Sequence, residues 1–465
     1  MNTIYLKYLL ILIVAATFIG CEDLVDGINE NPNQLTLDAV DPGLFLNGAE
    51  LANIDVQLGY ISRIAGFYSG QLIGYEQVEK TRYEYTLTSG TFDWDGYQGV
   101  IAPIREIQAR TADNPLYQGI TRVLEANLIG TYASLFGDVP YSEAVTEVEN
   151  PKFDDQIEIF ESLQTVLTDA IGYLSSSNGY VVTQDYIFNG NAEQWLETAW
   201  TLKARFYMYT KEYDLAYAAA QNGISTPDNN MKFTPLNTDS STKNKYFLAL
   251  SNALTVGTGN CYLIQLLNKT SSVSRNNAKT DEDARLAYYT IDHVTPANNN
   301  GVAGPLEPQP IVTYQENQLT LAEAGTRTNG FSAGLGHLNA YRLTLSTGEL
   351  FNSVVSSLTK IYDPYVAEDF DAGGMENPDN ITPERALLRE IIEERYVSGF
   401  TTFMPYDDNR RLQKSDSDIS VPFPLNIPTA TQNVERLLYP ADETESNSNA
   451  PEDPGLYSAT KVNAK

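Results

Sequence analysis

The sequence predicts a mostly α-helical fold in which helix pairs form a scaffold and the remainder is irregular and rich in loops. Three observations predict it. Apolar residues recur at spacings of three and four over long stretches, helix start and stop residues bracket several of these, and between them lie segments crowded with Asn, Asp, Gly and Pro.

The front end, MNTIYLKYLLILIVAATFIG, carries Lys7 and then an apolar run over 8–19 that closes on Gly20. A membrane-spanning helix needs about 20 apolar residues, so this run has the length of a signal-peptide core. Cys21 follows Gly20 at once, the arrangement in which bacterial lipoproteins are cut before the cysteine and acylated on it. Three acyl chains at about 0.8 kcal/mol per buried CH₂ make a durable anchor. The position three before the cysteine, usually Leu, is Phe18. Residues 1–20 therefore read as a leader and 21–45 as the lipidated N-terminus and an extended tether, with an incidental buried cysteine as the alternative. Cys261 is then the one thiol left, and in the apolar run CYLIQLL it reads as a small core residue. No intrachain disulfide holds the domain expected over 46–465.

Helical periodicity dominates to about residue 225. In QIEIFESLQTVLTDAIGYL, Ile157, Phe160, Leu163, Leu167, Ile171 and Leu174 make one buried face. Similar patterns run over 119–137, 192–210 and 212–224, and Gly137 with Pro140 supplies a stop. Ala and aromatic residues at expected crossings resemble tetratricopeptide units, without a fixed period. Residues 226–314 are rich in turn formers and predict short helices or none. Helices return at 315–326, 336–347 and 349–361, and most clearly in ITPERALLREIIEERYVSGF, where Pro383 starts the helix and Leu387, Leu388, Ile391, Ile392 and Tyr396 form its apolar face. The scaffold thus occupies mainly 100–225 and 315–400, and 401–465 is irregular.

Sixty acidic residues against thirty basic ones give a formal charge of −30, a field that repels a phosphate backbone and disfavours nucleic acid and anionic substrates. The catalytic templates G-x-S-x-G, G-x-x-x-x-G-K-[ST], H-E-x-x-H and C-x-x-C are missing, and the chain has two histidines, His293 and His337. Neither a catalytic residue nor a metal ligand is assigned, and no cofactor is required. Glu390, Glu393 and Glu394 could supply a glycosidase pair, but Arg389 and Glu393 stand at i, i+4 and read as a solvated helix face.

Aromatic residues are the better lead. The polar, Gly-rich stretch 66–97 includes Tyr85, Trp94 and Tyr97, and GFTTFMPYDDNRRL sets Phe403 and Tyr406 beside Asp407 and Asn409. Aromatic faces flanked by Asp, Asn and Arg can stack a sugar ring and hydrogen-bond its hydroxyls. The competing reading packs Trp94 and Tyr97 into the start of the next helix.

Six segments in order, NENPNQLT, FGDVPYSEA, QPIVTYQENQLTLAEA, ALLREIIEERY, DNRRL and RLLYPADETESN, resemble the SusD/RagB outer-membrane lipoproteins of the Bacteroidetes, and within them the SusD-like 2 subfamily. The resemblance implies a superhelix of tetratricopeptide-like helix pairs and an irregular half that carries a ligand surface. It also implies a non-catalytic role: capture of an oligosaccharide or polysaccharide, and its delivery to a SusC-like TonB-dependent transporter over which the lipoprotein sits. Glu22 and Asp23 resemble the residues that send such lipoproteins to the outer face of the outer membrane. Trp94 lies where some members carry an aromatic ligand contact, with Tyr85, Tyr97, Phe403, Tyr406, Asp407 and Asn409 as further candidates. Peptide cargo for the same machine, and a surface glycosidase, are the alternatives.

Overall fold

Several of the long helices begin where a side chain can satisfy their free amides. The computed structural model describes residues 40–464 apart from 353, 354 and 356, so Cys21, Glu22, Asp23 and most of the tether lie outside the described residues. The body divides off at Pro42. Its first helices are α1 (Pro42–Leu58), α2 (Tyr60–Tyr68), α3 (Gln77–Tyr83) and α4 (Ala102–Arg110), followed by α5 (Pro115–Phe136), α6 (Gln156–Ser175), α7 (Ala192–Thr210) and α8 (Tyr213–Ala220). Asn114, Asp155 and Asn191 cap α5, α6 and α7 by accepting from amides in the first turn. Gly137, at φ +88°, ends α5 in a conformation that side chains resist.

Nearly every residue of α5 is buried, as an all-round apolar helix requires. It packs on α6 and α7, with α1 and α4 on its other sides. Gly130 permits the approach of α7, because a Cβ there would fall 2.2 Å from Phe206 Cζ. From α5 the packing passes in sequence through α6, α7 and α8, and then to α12 (Tyr314–Asn329) and α13 (Phe331–Thr347), leaving α9 (Lys245–Ala253), α10 (Tyr262–Leu267) and α11 (Asp283–Tyr289) to the intervening region. These successive helix pairs are the mostly α scaffold that the apolar spacing predicts. The last helices are α14 (Pro383–Ser398), α15 (Met404–Leu412) and α16 (Ala441–Ser446).

Short antiparallel strand pairs pin the irregular region to itself and to the scaffold. One joins Met231–Phe233 to Gln309–Val312, another Ile73–Gly74 to Val256–Gly257. One large apolar core links most of these elements, with smaller clusters where α7, α8 and α12 meet and where α14 meets α15. Two expectations fail. No helix covers 349–361 among the described residues: Gly348, at φ +80°, closes α13 and the chain turns away. Conversely, 404–412, expected to be irregular, is the buried helix α15.

Candidate binding site

The aromatic residues singled out in the sequence are mostly inside. Trp94 is 8% exposed, and its ring is surrounded by Phe136 (5.4 Å), Tyr97 (5.8 Å), Phe153, Tyr439 and Tyr132. It is a core residue that offers no open face for stacking. Tyr97 is half-buried, and its phenol donates to the Pro140 carbonyl. Burial pushes that phenol well up. Tyr85 adopts φ +61°, packs 5.4 Å from Tyr68, and its oxygen accepts from the Asn426 amide. The feature missed in the sequence is mutual burial: these rings, spread along polar sequence, cover one another rather than a single helical face.

The second cluster is corrected more sharply. Phe403, Tyr406, Asp407 and Asn409 are buried on or beside α15. Asp407 accepts from Ser134 Oγ at 2.7 Å and Tyr209 at 2.6 Å and pairs with Arg410, so its oxygens are already engaged. Tyr406 donates to the Val434 carbonyl, and the Arg410 guanidinium lies 4.2 Å above its ring. Asp408 holds Arg395 of α14 and Arg411, and Arg411 in turn holds Glu323 of α12. The motif DNRRL is a brace between three helices.

The acids of α14 are not a solvated face either. Glu394 is fully buried and Glu390 nearly so, and both meet Arg275, while Glu394 also meets Arg285. Arg389 reaches Asp379, not Glu393. Burial pushes Glu390 up, whereas against the same push Arg285 and Arg275 hold Glu394 at about 2.

What the stretch around Trp94 does build is a cleft. Burial alternates along it: Phe92 and Trp94 face the core, Asp93 is half-exposed and Asp95 is exposed. Packing Trp94 inward thus turns both neighbouring carboxylates outward. They meet Asp55 and Tyr60, from α1 and the start of α2, around an open cavity of about 430 Å³ whose other walls include Ala52, Val56 and Ile61. Gly96 and Gly99 form its third side, where the chain makes a π-helical turn over Tyr97–Ile101. A Cβ on Gly99 would fall 2.8 Å from that of Ala52, so the missing side chain keeps the cleft open.

The polar groups are fixed in advance. Tyr60 donates to Asp93 Oδ2 at 2.9 Å and accepts from the Asp93 amide at 3.1 Å, with the Arg82 guanidinium 4.7 Å from its ring. Asp93 Oδ1 also accepts from the Asp95 amide at 3.4 Å. A carboxylate has about four lone-pair sites, so Asp93 keeps acceptors to spare. Lys245 pairs with Asp55 at 2.6 Å, yet the Asp55 carboxylate remains 66% exposed. Tyr60 and Asp55 escaped the sequence reading; the alternation of acids about Trp94 in FDWD was the pattern that could have found Asp93 and Asp95. Among the described residues no cluster of acids, histidines or thiols is arranged to hold a metal ion, and no helix is long and apolar enough to cross a membrane.

This arrangement can accept hydrogen bonds from hydroxyl groups beside an apolar wall, and it contains no activated nucleophile. Residues 32–244 match the SusD-like 2 family, described as starch-binding and associating with the outer membrane. No curated protein matches the chain. Among solved structures, a SusD homologue from Bacteroides fragilis is 17% identical with a TM-score of 0.68, covering 91% of this chain and 99% of its own. A SusD/RagB family protein from Bacteroides thetaiotaomicron is 18% identical with a TM-score of 0.66, over 91% and 99%. A chitin-binding protein is 19% identical with a TM-score of 0.60, over 88% and 95%. The family match thus takes in a little under half of the chain, and the fold is the one that these SusD-like structures share.

Proposed function

We propose that the protein is a cell-surface lipoprotein, anchored through Cys21 and directed outward by Glu22 and Asp23, that captures a neutral oligosaccharide and passes it to a SusC-like TonB-dependent transporter. The observation that carries the reading is the cleft beside α1, where Asp55, Asp93, Asp95 and Tyr60 converge on a space of about 430 Å³. That volume lies within the range of small-ligand sites. Carboxylates accept from vicinal hydroxyls, Ala52, Val56 and Ile61 supply an apolar wall for a pyranose, and Asp93 is preset by Tyr60, so little ordering is needed on binding. The formal charge of −30 disfavours sulfated or uronic cargo.

Calorimetric titration with malto- and chito-oligosaccharides tests the reading. Binding that is lost in Asp93→Asn and Asp95→Asn supports it; binding of a basic peptide digest with no response to any glycan transfers the cleft to peptide cargo. Co-purification with a TonB-dependent transporter tests the partner, and mass spectrometry of the mature N-terminus tests Cys21.

A further inference from the structure

Glu50 points from α1 into the interior and is wholly buried. Its Oε2 accepts from the Tyr186 amide at 2.7 Å, while Oε1 is sealed from solvent without a donor. The one charged group whose field acts on it, among the described residues, is another acid: Asp185, also buried and within hydrogen-bonding reach.

Asp185 is differently supplied. Its Oδ1 accepts from the amides of Ile187 and Phe188 at 2.9 and 3.0 Å, and its Oδ2 from the Gly190 amide at 2.8 Å and Trp195 Nε1 at 2.7 Å. Asn189 at φ +52° and Gly190 at φ +77° curl the chain around this side chain.

Two carboxyl groups in contact away from water do not both ionise readily, and one proton between them turns repulsion into a charge-assisted hydrogen bond. The donors decide which acid keeps it. Four N–H groups favour the ionised form at Asp185, whereas the bare Oε1 of Glu50 is satisfied as an O–H donor. Burial, and then the field of Asp185, pushes Glu50 well up.

The elements packed on α1 bring no compensating charge. On α4, Arg110 turns to Glu106 and to the Phe45 ring. Helix α5 presents neutral Asn127 and Thr131 to Asn53 and Gln57, and no charge from α2, the 97–101 turn or the 309–312 strand acts on Glu50. Tyr186 is the remaining titratable neighbour, and its phenol donates to the Thr234 carbonyl.

The pair lies where α1 meets the segment 182–191. Asn47 Nδ2 donates to the Gln184 carbonyl at 3.3 Å beside it, and Trp195 carries the tie on to α7. We propose that Glu50 and Asp185 share a single proton and so form a latch, which holds α1 against this segment while the proton is present and loosens when alkaline pH removes it.

Glu50→Gln, which copies the acid but does not ionise, tests it in the whole protein. The unfolded chain gives up this proton near 4.5 and the folded one holds it, so stability falls as pH rises between the two values. From about pH 5 upward, the unfolding equilibrium constant of the parent should rise relative to that of Glu50→Gln by about tenfold per pH unit, until Glu50 ionises in the fold. Beyond that point amide exchange at 186–190 accelerates more in the parent than in the variant. At neutral pH the infrared spectrum of the parent carries the C=O band of a protonated carboxylic acid, which Glu50→Gln loses and Glu390→Gln keeps. Parallel pH curves for parent and variant, or the lack of that band, overturns the proposal. So does a Glu50→Gln protein that fails to fold at neutral pH, because an amide fits the place of an acid and not that of a carboxylate.

Discussion

Arg411 grips Glu323 with two parallel contacts, Nη1 to Oε1 at 2.8 Å and Nη2 to Oε2 at 2.5 Å, in a place where both side chains are out of reach of water. The contact ties α15 to α12, and Asp408 extends it to Arg395 on α14. A buried pair is a poor source of net stability, but removing one partner strands the other.

Glu323→Ala should therefore destabilise the protein by about 3–5 kcal/mol, with Glu323→Gln closer to the lower end. Urea unfolding monitored by tryptophan fluorescence measures this; a shift below about 1 kcal/mol would contradict a brace.

Two glutamates one turn apart on α14 should respond to mutation in opposite ways. Glu394 sits at about 2 in the fold, against an ordinary value near 4.5. Its contribution is present above about pH 4.5 and is lost as pH falls toward 2. Glu390 is raised, so its contribution is present at acid pH and is lost as pH rises through its folded value. At pH 7, Glu394→Gln is expected to cost about 3–5 kcal/mol, and Glu390→Gln to be near neutral or stabilising. Stability against pH for the two variants checks the signs.

Trp94→Ala should act on stability. Truncating a buried Trp costs about 3–5 kcal/mol, and Trp94→Phe, which gives up no internal hydrogen bond, should cost less. Oligosaccharide affinity of folded Trp94→Phe is expected to match that of the parent; a loss of about tenfold would restore Trp94 to the ligand surface.

Tyr60→Phe separates the cleft from the core. It removes the phenol that both donates to and accepts from Asp93 and leaves the ring under Arg82. The expected result is weaker glycan binding, by about tenfold, with an unfolding midpoint close to that of the parent.

The helices were legible where burial follows a local rule. The apolar face of 156–175 is a short-range feature, and the protein forms it as the spacing predicts. The acids of α14 were misread because an i, i+4 partner at Arg389 looked sufficient, while the arginines that bury Glu394 lie 109 and 119 residues earlier. For the same reason 401–412 looked like an exposed loop: its polar residues are inside because their partners come from α5, α7, α12 and α14. Trp94 drew attention correctly as to neighbourhood, but only the position of Tyr60 and Asp55 across from FDWD makes a cleft of it.

Cys261 gives this wiring a practical meaning. Its thiol donates to the Gln71 carbonyl at 3.0 Å, and burial pushes it up to about 12, so it stays protonated and slow to react. Cross-bracing by guanidinium and carboxylate, unlike a cystine bridge, assembles without an oxidant and in any order. The folded domain should ignore dithiothreitol, renature from urea in its presence, and give way instead to acid.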